Sequence, residues 1–190
     1  MSTPIDAFGT ASVIDFTPRQ ILLFNGLGVT AVAFAALLPP AVVLYWLTIA
    51  PEDIRALLAL TADVLPDISL GQRLMAAIVG LSTVIPLAWG LSRLRTCLSC
   101  FASGHPFATE GISGLRGFAL GAMLAALAQL IGHTLMGLVL TMNAVPGHRQ
   151  VIVRIDAEML LLALFAGIVA SLVWALERAS LIAEENSQFV

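Results

Sequence analysis

Four long apolar runs dominate this chain of 190 residues. A helix needs about 20 mainly apolar residues to cross the roughly 30 Å of hydrocarbon in a bilayer. The runs cover about residues 21–47, 74–94, 115–142 and 159–176. Only 11% of the residues are charged, whereas soluble domains carry roughly 25%. The sequence therefore predicts an all-α integral membrane four-helix bundle, with residues 1–190 forming a single transmembrane domain.

The connection between the first two runs has a helical pattern of its own over residues 51–66. Pro51 suits the first helical position, and Glu52 and Asp53 suit the positive end of a helix dipole. The apolar positions Ile54, Leu57, Leu58 and Leu65 fall on one stripe. This pattern predicts a short amphipathic helix on the membrane surface.

Arginines near the run ends bear on orientation, because cytoplasmic loops carry an excess of positive charge. With the N-terminus inside, five arginines lie on the inner side, namely Arg19, Arg93, Arg95, Arg116 and Arg178, and the remaining four on the outer side. We expect both termini to be cytoplasmic, which makes 177–190 a cytoplasmic tail and the 51–66 helix extracytoplasmic.

The third run carries polar groups on a row of residues four apart. The row starts with Gly117, Gly121 and Ala125, whose small side chains favour close helix packing. It continues with Gln129 and His133, near the middle of the run. Such groups are costly in hydrocarbon and usually face the bundle interior. Two interpretations remain open: an interhelical hydrogen bond, or a ligand, proton or sensing site.

The fourth run carries a similar row that includes Ala163, Gly167 and Ser171. A short connection joins it to the third run, so the two rows predict a tight antiparallel hairpin in which Ser171 is a candidate partner for a polar group opposite. Homo-oligomer contact through the same row is the competing use.

Motifs of catalysis are not found in this sequence, and we expect a protein that is not an enzyme and has no cofactor. The nine cations are all arginine and form no basic tract, so a direct nucleic-acid contact is not expected. Cys97 and Cys100 have the spacing of a redox or zinc half-site. Because a structural zinc needs four ligands, a helix extension carrying two small residues is the favoured interpretation.

Two short motifs resemble a known bacterial family. One is Gly104-His105-Pro106-Phe107-Ala108-Thr109-Glu110, followed by Leu115-Arg116-Gly117, and the other is the tail that contains Glu184, Glu185 and Asn186 and ends at Val190. Both resemble the family catalogued as domain of unknown function 2975 (DUF2975), and the resemblance covers roughly residues 20–190. Its members are four-helix bacterial membrane proteins that often accompany a small helix-turn-helix regulator.

The resemblance implies a regulatory inner-membrane protein that acts through protein contacts with a cytoplasmic helix-turn-helix partner. The candidate docking residues are Pro106, Phe107, Thr109, Glu110, Arg116, Glu184, Glu185 and Asn186. Pro106 is expected to end a helix, Phe107 to anchor at the interface and Thr109 to cap the third helix. The alternative is an accessory subunit of a larger membrane complex or a small oligomeric transporter.

Overall fold

The computed structural model describes residues 16–58, 68–142 and 156–187, and these ranges hold five helices and no strands. The helices are α1 (Pro18–Thr48), α2 (Pro51–Leu58), α3 (Leu70–Ala102), α4 (Thr109–Leu140) and α5 (Ala157–Ser187). Four of them, α1, α3, α4 and α5, are long and apolar enough to cross a membrane. The all-α four-helix architecture predicted from the sequence is confirmed.

The long helices are longer than the apolar runs that predict them. Each has 31 to 33 residues, or about 47–50 Å at 1.5 Å per residue, against roughly 30 Å of hydrocarbon. The second run ends at charged residues such as Arg93, whereas α3 continues to Ala102. Of residues 95–114, which separate the second and third apolar runs, only residues 103–108 form the connection between helices. The expected tail continues α5 as helix through Ser187.

The long helices pack in chain order. The extended contacts join α1 to α3, α3 to α4 and α4 to α5. Consequently α3 lies between α1 and α4, while α5 packs on the other side of α4. Within the described ranges α1 makes no comparably extended contact with α4 or with α5. A gap therefore remains between α1 and α4, and α5 does not cover it.

Backbone-to-backbone contact holds α3 against α4. A Cβ placed on Gly121 of α4 would lie 2.6 Å from the Pro86 carbonyl oxygen and 2.7 Å from the Gly90 Cα of α3. A Cβ on Gly114 would lie 2.7 Å from the Arg93 carbonyl oxygen. Only glycine leaves room for this approach. It brings many atoms of both backbones into van der Waals contact, and this contact stabilises the helix pair in a membrane, where the hydrophobic effect does not drive helix association.

Helices α4 and α5 pack against each other, but the prediction that they do so through the small-residue rows of the third and fourth runs is wrong. Gly117 and Gly121 pack on α3, and a Cβ on Gly167 would meet nothing within 4 Å. The buried side chains of α5 are Met159, Ala166, Val169 and Val173. A row of residues four apart rotates by about 40° per step on a helix with 3.6 residues per turn, so the row leaves the packed face after a few steps.

Two side chains in the first turn of α3 bind the ends of both neighbouring helices. Gln72 Nε2 donates to the carbonyl oxygens of Val139 (3.4 Å) and Leu140 (3.2 Å) at the end of α4. Arg73 Nη1 donates to the carbonyl oxygen of Leu47 in the last turn of α1 (3.0 Å) and to that of Ile49, the C-cap residue of α1 (2.8 Å). Helix ends leave such carbonyls unsatisfied, and hydrogen bonds to a charged donor contribute about 1.5–3 kcal/mol. This end of the bundle is therefore fixed by polar contacts.

Helix α2 closes onto the same end of the bundle. Its Ile54 is fully buried, in a cluster with Trp46 of α1, Ala76 of α3 and Leu140 of α4. The apolar stripe expected to rest on the membrane surface thus contacts protein at Ile54. Residues 59–66 of the predicted surface helix lie outside the described residues.

The Gly121 contact predicts a selective response to a single methyl group. Gly121→Ala should lower the free energy of unfolding by about 1–3 kcal/mol, because the methyl group meets backbone atoms that cannot move aside. Gly167→Ala is the matched control, with open space at the same atom, and should leave stability equal to or above that of the wild type. Unfolding in mixed micelles of mild detergent and dodecyl sulfate measures both, and equal stability of the two variants would contradict the packing.

Candidate functional site

A groove near the end of the bundle that carries α2 is the first candidate site. It has a volume of about 690 Å³ and is lined by α1, α3, α4 and Asp156 at the start of α5. Aliphatic side chains such as Leu38, Val42 and Met136 cover much of it. It occupies the gap between α1 and α4. The polar part of the lining comes from Tyr45, Trp46, Thr83, Gln129, His133 and Asp156.

His133 and Asp156 meet in this groove. His133 Nδ1 lies 3.3 Å from Asp156 Oδ2, and the two side chains are 35% and 36% exposed. The Nδ1 atom itself is buried, and no hydrogen bond of good geometry reaches it within the described residues. The contact therefore brings two opposite charges together whenever the imidazole is protonated.

Gln129 lies one helical turn before His133 and is half-buried in the same groove. No side chain or carbonyl of the described ranges hydrogen-bonds to its amide, so an interhelical hydrogen bond is not formed there. Thr83 of α3 lies opposite, with its hydroxyl oxygen 3.6 Å from the Cβ position of Gly132. The structure thus brings Gln129 and His133 into one polar lining, as the sequence suggests.

Ser171 does not join this lining. Its hydroxyl donates to the Gly167 carbonyl oxygen of its own helix at 2.9 Å, and the side chain is exposed. The prediction of a cross-helix partner is wrong, because Ser171 lies on the drifting row of α5 rather than on its buried face. His133 lies seven residues, or about 10 Å, before the end of α4 at Leu140.

Sequence reasoning misses Asp156 and the aromatic pair Tyr45 and Trp46 as groove residues. From the sequence, Asp156 is interpreted as the last residue of a connection. The aromatic pair is interpreted as part of the aromatic belt at the membrane interface. The sequence offers no signal for this contact, since His133 lies near the middle of the third run and Asp156 lies outside the fourth.

The loop at the opposite end of the bundle is the second candidate site. Gly104 follows the end of α3 with φ 80°, and the backbone N–H groups of Gly104 and His105 donate to the carbonyls of Phe101 and Cys100. This pair of bonds is a Schellman motif, which requires a left-handed residue and so favours glycine. Pro106 is buried, whereas Phe107 is 40% exposed. The loop therefore has a fixed backbone and an exposed aromatic side chain.

The start of α4 corrects one expectation about this loop. Ala108, not Thr109, is the N-cap residue, and no side chain caps the helix. Thr109 is the first helical residue and is exposed, as is Glu110 in the first turn. The carboxylate of Glu110 remains well placed near the positive end of the helix dipole.

The remaining docking candidates lie on α4 and α5. Arg116 Nη1 lies 4.0 Å from Glu177 Oε1, with exposed side chains on both sides, so the pair adds little stability. Residues 184–186 continue the backbone of α5 as helix. The side chains of Glu184, Glu185 and Asn186 lie outside the described part of the structure.

The two cysteines lie in the last turns of α3. Cys97 is buried, and Cys100 is half-buried. A Cβ on Gly111 of α4 would lie 3.0 Å from the Cys100 Cβ and 4.0 Å from the Cys97 Cα. The small thiol side chains thus permit the close approach of α4, in agreement with the favoured interpretation of a helix extension.

The fold and composition define a multi-pass helical membrane protein. No family model matches the chain, and no curated protein or solved structure matches it.

Proposed function

We propose that this chain is a regulatory inner-membrane protein of bacteria, without enzymatic activity, that acts by binding a cytoplasmic helix-turn-helix protein. The observation that carries the proposal is the fixed loop at residues 103–108, held between two helices that extend beyond the apolar runs. Its Schellman motif and the buried Pro106 set the backbone, and Phe107 projects from it. A fixed backbone with an exposed aromatic side chain lowers the entropic cost of binding a protein partner.

Polar side chains beside Phe107 complete the surface. Thr109, Glu110 and Ser113 in the first turns of α4 are exposed, and Arg116 with Glu177 extends the charged area toward α5. The mixture of one aromatic residue and a polar rim is typical of a transient interface. The resemblance of 104–110 and of the tail to DUF2975 supports membership in that family and the choice of a helix-turn-helix partner.

The proposed orientation places this surface in the cytoplasm. Arg19, Arg93, Arg95, Arg116 and Arg178 all belong to the end of the bundle that carries the loop. The described part of the opposite end carries two arginines, Arg55 and Arg73, beside the acidic residues Glu52, Asp53, Asp156 and Glu158. This asymmetry agrees with the excess of positive charge on the cytoplasmic side of membrane proteins.

Labelling of introduced cysteines tests the orientation. Cys97 is too buried to report, so we choose the exposed positions Glu52 and Ser113 in a Cys97→Ala, Cys100→Ala background. In spheroplasts an impermeant maleimide should modify the Glu52→Cys variant and not the Ser113→Cys variant until the membrane is opened. Labelling with the opposite selectivity would contradict the orientation.

Affinity purification tests the partner. The tagged protein in mild detergent should retain a helix-turn-helix protein in stoichiometric amount, identified by mass spectrometry. Phe107→Ala should release it, because the exposed ring is removed from the docking loop. Phe34→Ala is the matched control, since Phe34 is an exposed aromatic residue on α1, far from the loop. Retention of the partner by the Phe107→Ala variant would contradict the proposed surface.

A second candidate function is an accessory subunit of a larger membrane complex or a small oligomeric transporter. The groove between α1 and α4 favours it, since its aliphatic walls suit contact with side chains of a neighbouring membrane subunit. Copurification of stoichiometric membrane enzyme subunits in place of a soluble regulator would support this candidate over the first.

A further inference from the structure

The groove between α1 and α4 has the features of a binding site for a membrane-soluble ligand. It extends from Gln129 to Leu140 along α4, or about 16 Å at 1.5 Å per residue. Its volume of about 690 Å³ falls within the roughly 300–1,000 Å³ of small-molecule sites. Aliphatic side chains from all three helices line it, among them Leu38, Val84 and Met136. Such a lining suits a hydrocarbon chain.

A polar group without a partner faces the same space. The Gln129 amide has no hydrogen-bond partner in the described ranges, whereas His133 Nδ1 contacts Asp156 Oδ2 at 3.3 Å. Thr83 adds a hydroxyl group to this lining. Unpaired polar groups cost several kcal/mol in hydrocarbon, where water cannot replace the missing partner. A ligand with oxygen atoms that accept or donate hydrogen bonds would remove that cost.

The charges in the lining restrict the ligand further. The basic and acidic side chains in the lining are those of His133 and Asp156, which already lie 3.3 Å apart. They therefore compensate each other when both are charged. A charged headgroup would have to compete with this contact, whereas an uncharged one would not. The surrounding rings of Tyr45 and Trp46 also suit an uncharged head.

We infer that the groove binds one uncharged amphiphile with an aliphatic tail and a head that carries carbonyl oxygens. The amide of Gln129 donates to the head, and the tail lies along the aliphatic walls of α1 and α4. Two kinds of lipid carry such carbonyl oxygens: a quinone has them on its ring, and a diacylglycerol has them in its esters. Binding of this ligand is a property of the groove and does not depend on the docking loop or its partner.

Two probes in phosphatidylcholine nanodiscs test the inference on the full-length protein. Decylubiquinone and 1,2-dioctanoylglycerol represent the two sources of carbonyl oxygens, and native mass spectrometry counts the molecules bound to each chain. A Trp89→Phe, Trp174→Phe background leaves Trp46 as the single indole. Because Trp46 lines the groove, quenching of its fluorescence by decylubiquinone reports the place of binding.

Variants of the groove separate specific binding from partition into lipid. Gln129→Leu should weaken binding roughly three- to tenfold, as expected for one lost hydrogen bond. Ser171→Leu is the matched control, since it removes an exposed hydroxyl outside the groove, and should bind as the wild type does. Gly132→Leu should abolish binding, because its Cβ meets only ordinary contacts at 3.6 and 3.7 Å while the rest of the side chain fills the groove.

The outcomes decide the inference and name the source. The inference is supported if the wild type binds one molecule of either probe, if Gly132→Leu loses this binding and if Ser171→Leu keeps it. Binding of decylubiquinone indicates a quinone head, and binding of 1,2-dioctanoylglycerol indicates an ester head. Binding of neither probe overturns the inference, as does equal binding by wild type and Gln129→Leu. Equal binding of dodecylamine would contradict an uncharged head. A dimer that protects Trp46 from quenching would show that a second copy of the chain fills the groove.

Discussion

The approach of two helix backbones at Gly90 and Gly121 is the contact on which the rest of the structure depends. Lipid tails are as apolar as leucine, so burying apolar side chains between membrane helices gains little. Stability must come from dense packing and from satisfied polar groups. Glycines on both helices let α3 and α4 approach until atoms of Pro86 and Gly90 fill the space that a Cβ on Gly121 would need. This contact sets the central pair to which α1 and α5 add on opposite sides.

Polar contacts then fix the ends of that central pair. At one end, Gln72 and Arg73 bind the terminal carbonyls of α4 and α1, which would otherwise lack partners. At the other, the Schellman motif around Gly104 turns the chain from α3 into α4 within six residues, 103–108. The proposed docking loop and the groove follow from this arrangement. The short turn holds the loop rigid, and the chain order of packing leaves the groove open.

The sequence predicts the helices better than their contacts. Hydrophobic length identifies four spans because the energetic cost of charge in hydrocarbon is large. It underestimates their extent, since residues such as Arg93 end an apolar run but not a helix. Gln129 and His133 can be placed in one lining because they lie one turn apart on α4. Asp156 and Trp46 cannot, because their position depends on how three separate helices pack.

The helix faces that pack against each other in this structure show why helix–helix contacts are hard to predict from a single sequence. Gly121 and Gly167 belong to similar rows of small residues, yet one contacts backbone and the other meets open space. Nothing in either row specifies the partner helix. The distinction arises from the partner: α3 supplies Gly90 opposite Gly121, with Cys97 and Cys100 on the same face as small neighbours for Gly114 and Gly111.

The packing of α3 on α4 can be measured directly with one disulfide. A Cβ at position 111 would lie 3.0 Å from the Cys100 Cβ, close to the roughly 3.5–4.5 Å of disulfide bonds. In a Cys97→Ala background, Gly111→Cys should therefore form an intramolecular disulfide with Cys100 on mild oxidation, seen by mass spectrometry as loss of both alkylatable thiols in the monomer. Gly167→Cys, at an open position, should keep its thiols. Two free thiols in the oxidised Gly111→Cys variant would contradict the glycine-mediated contact.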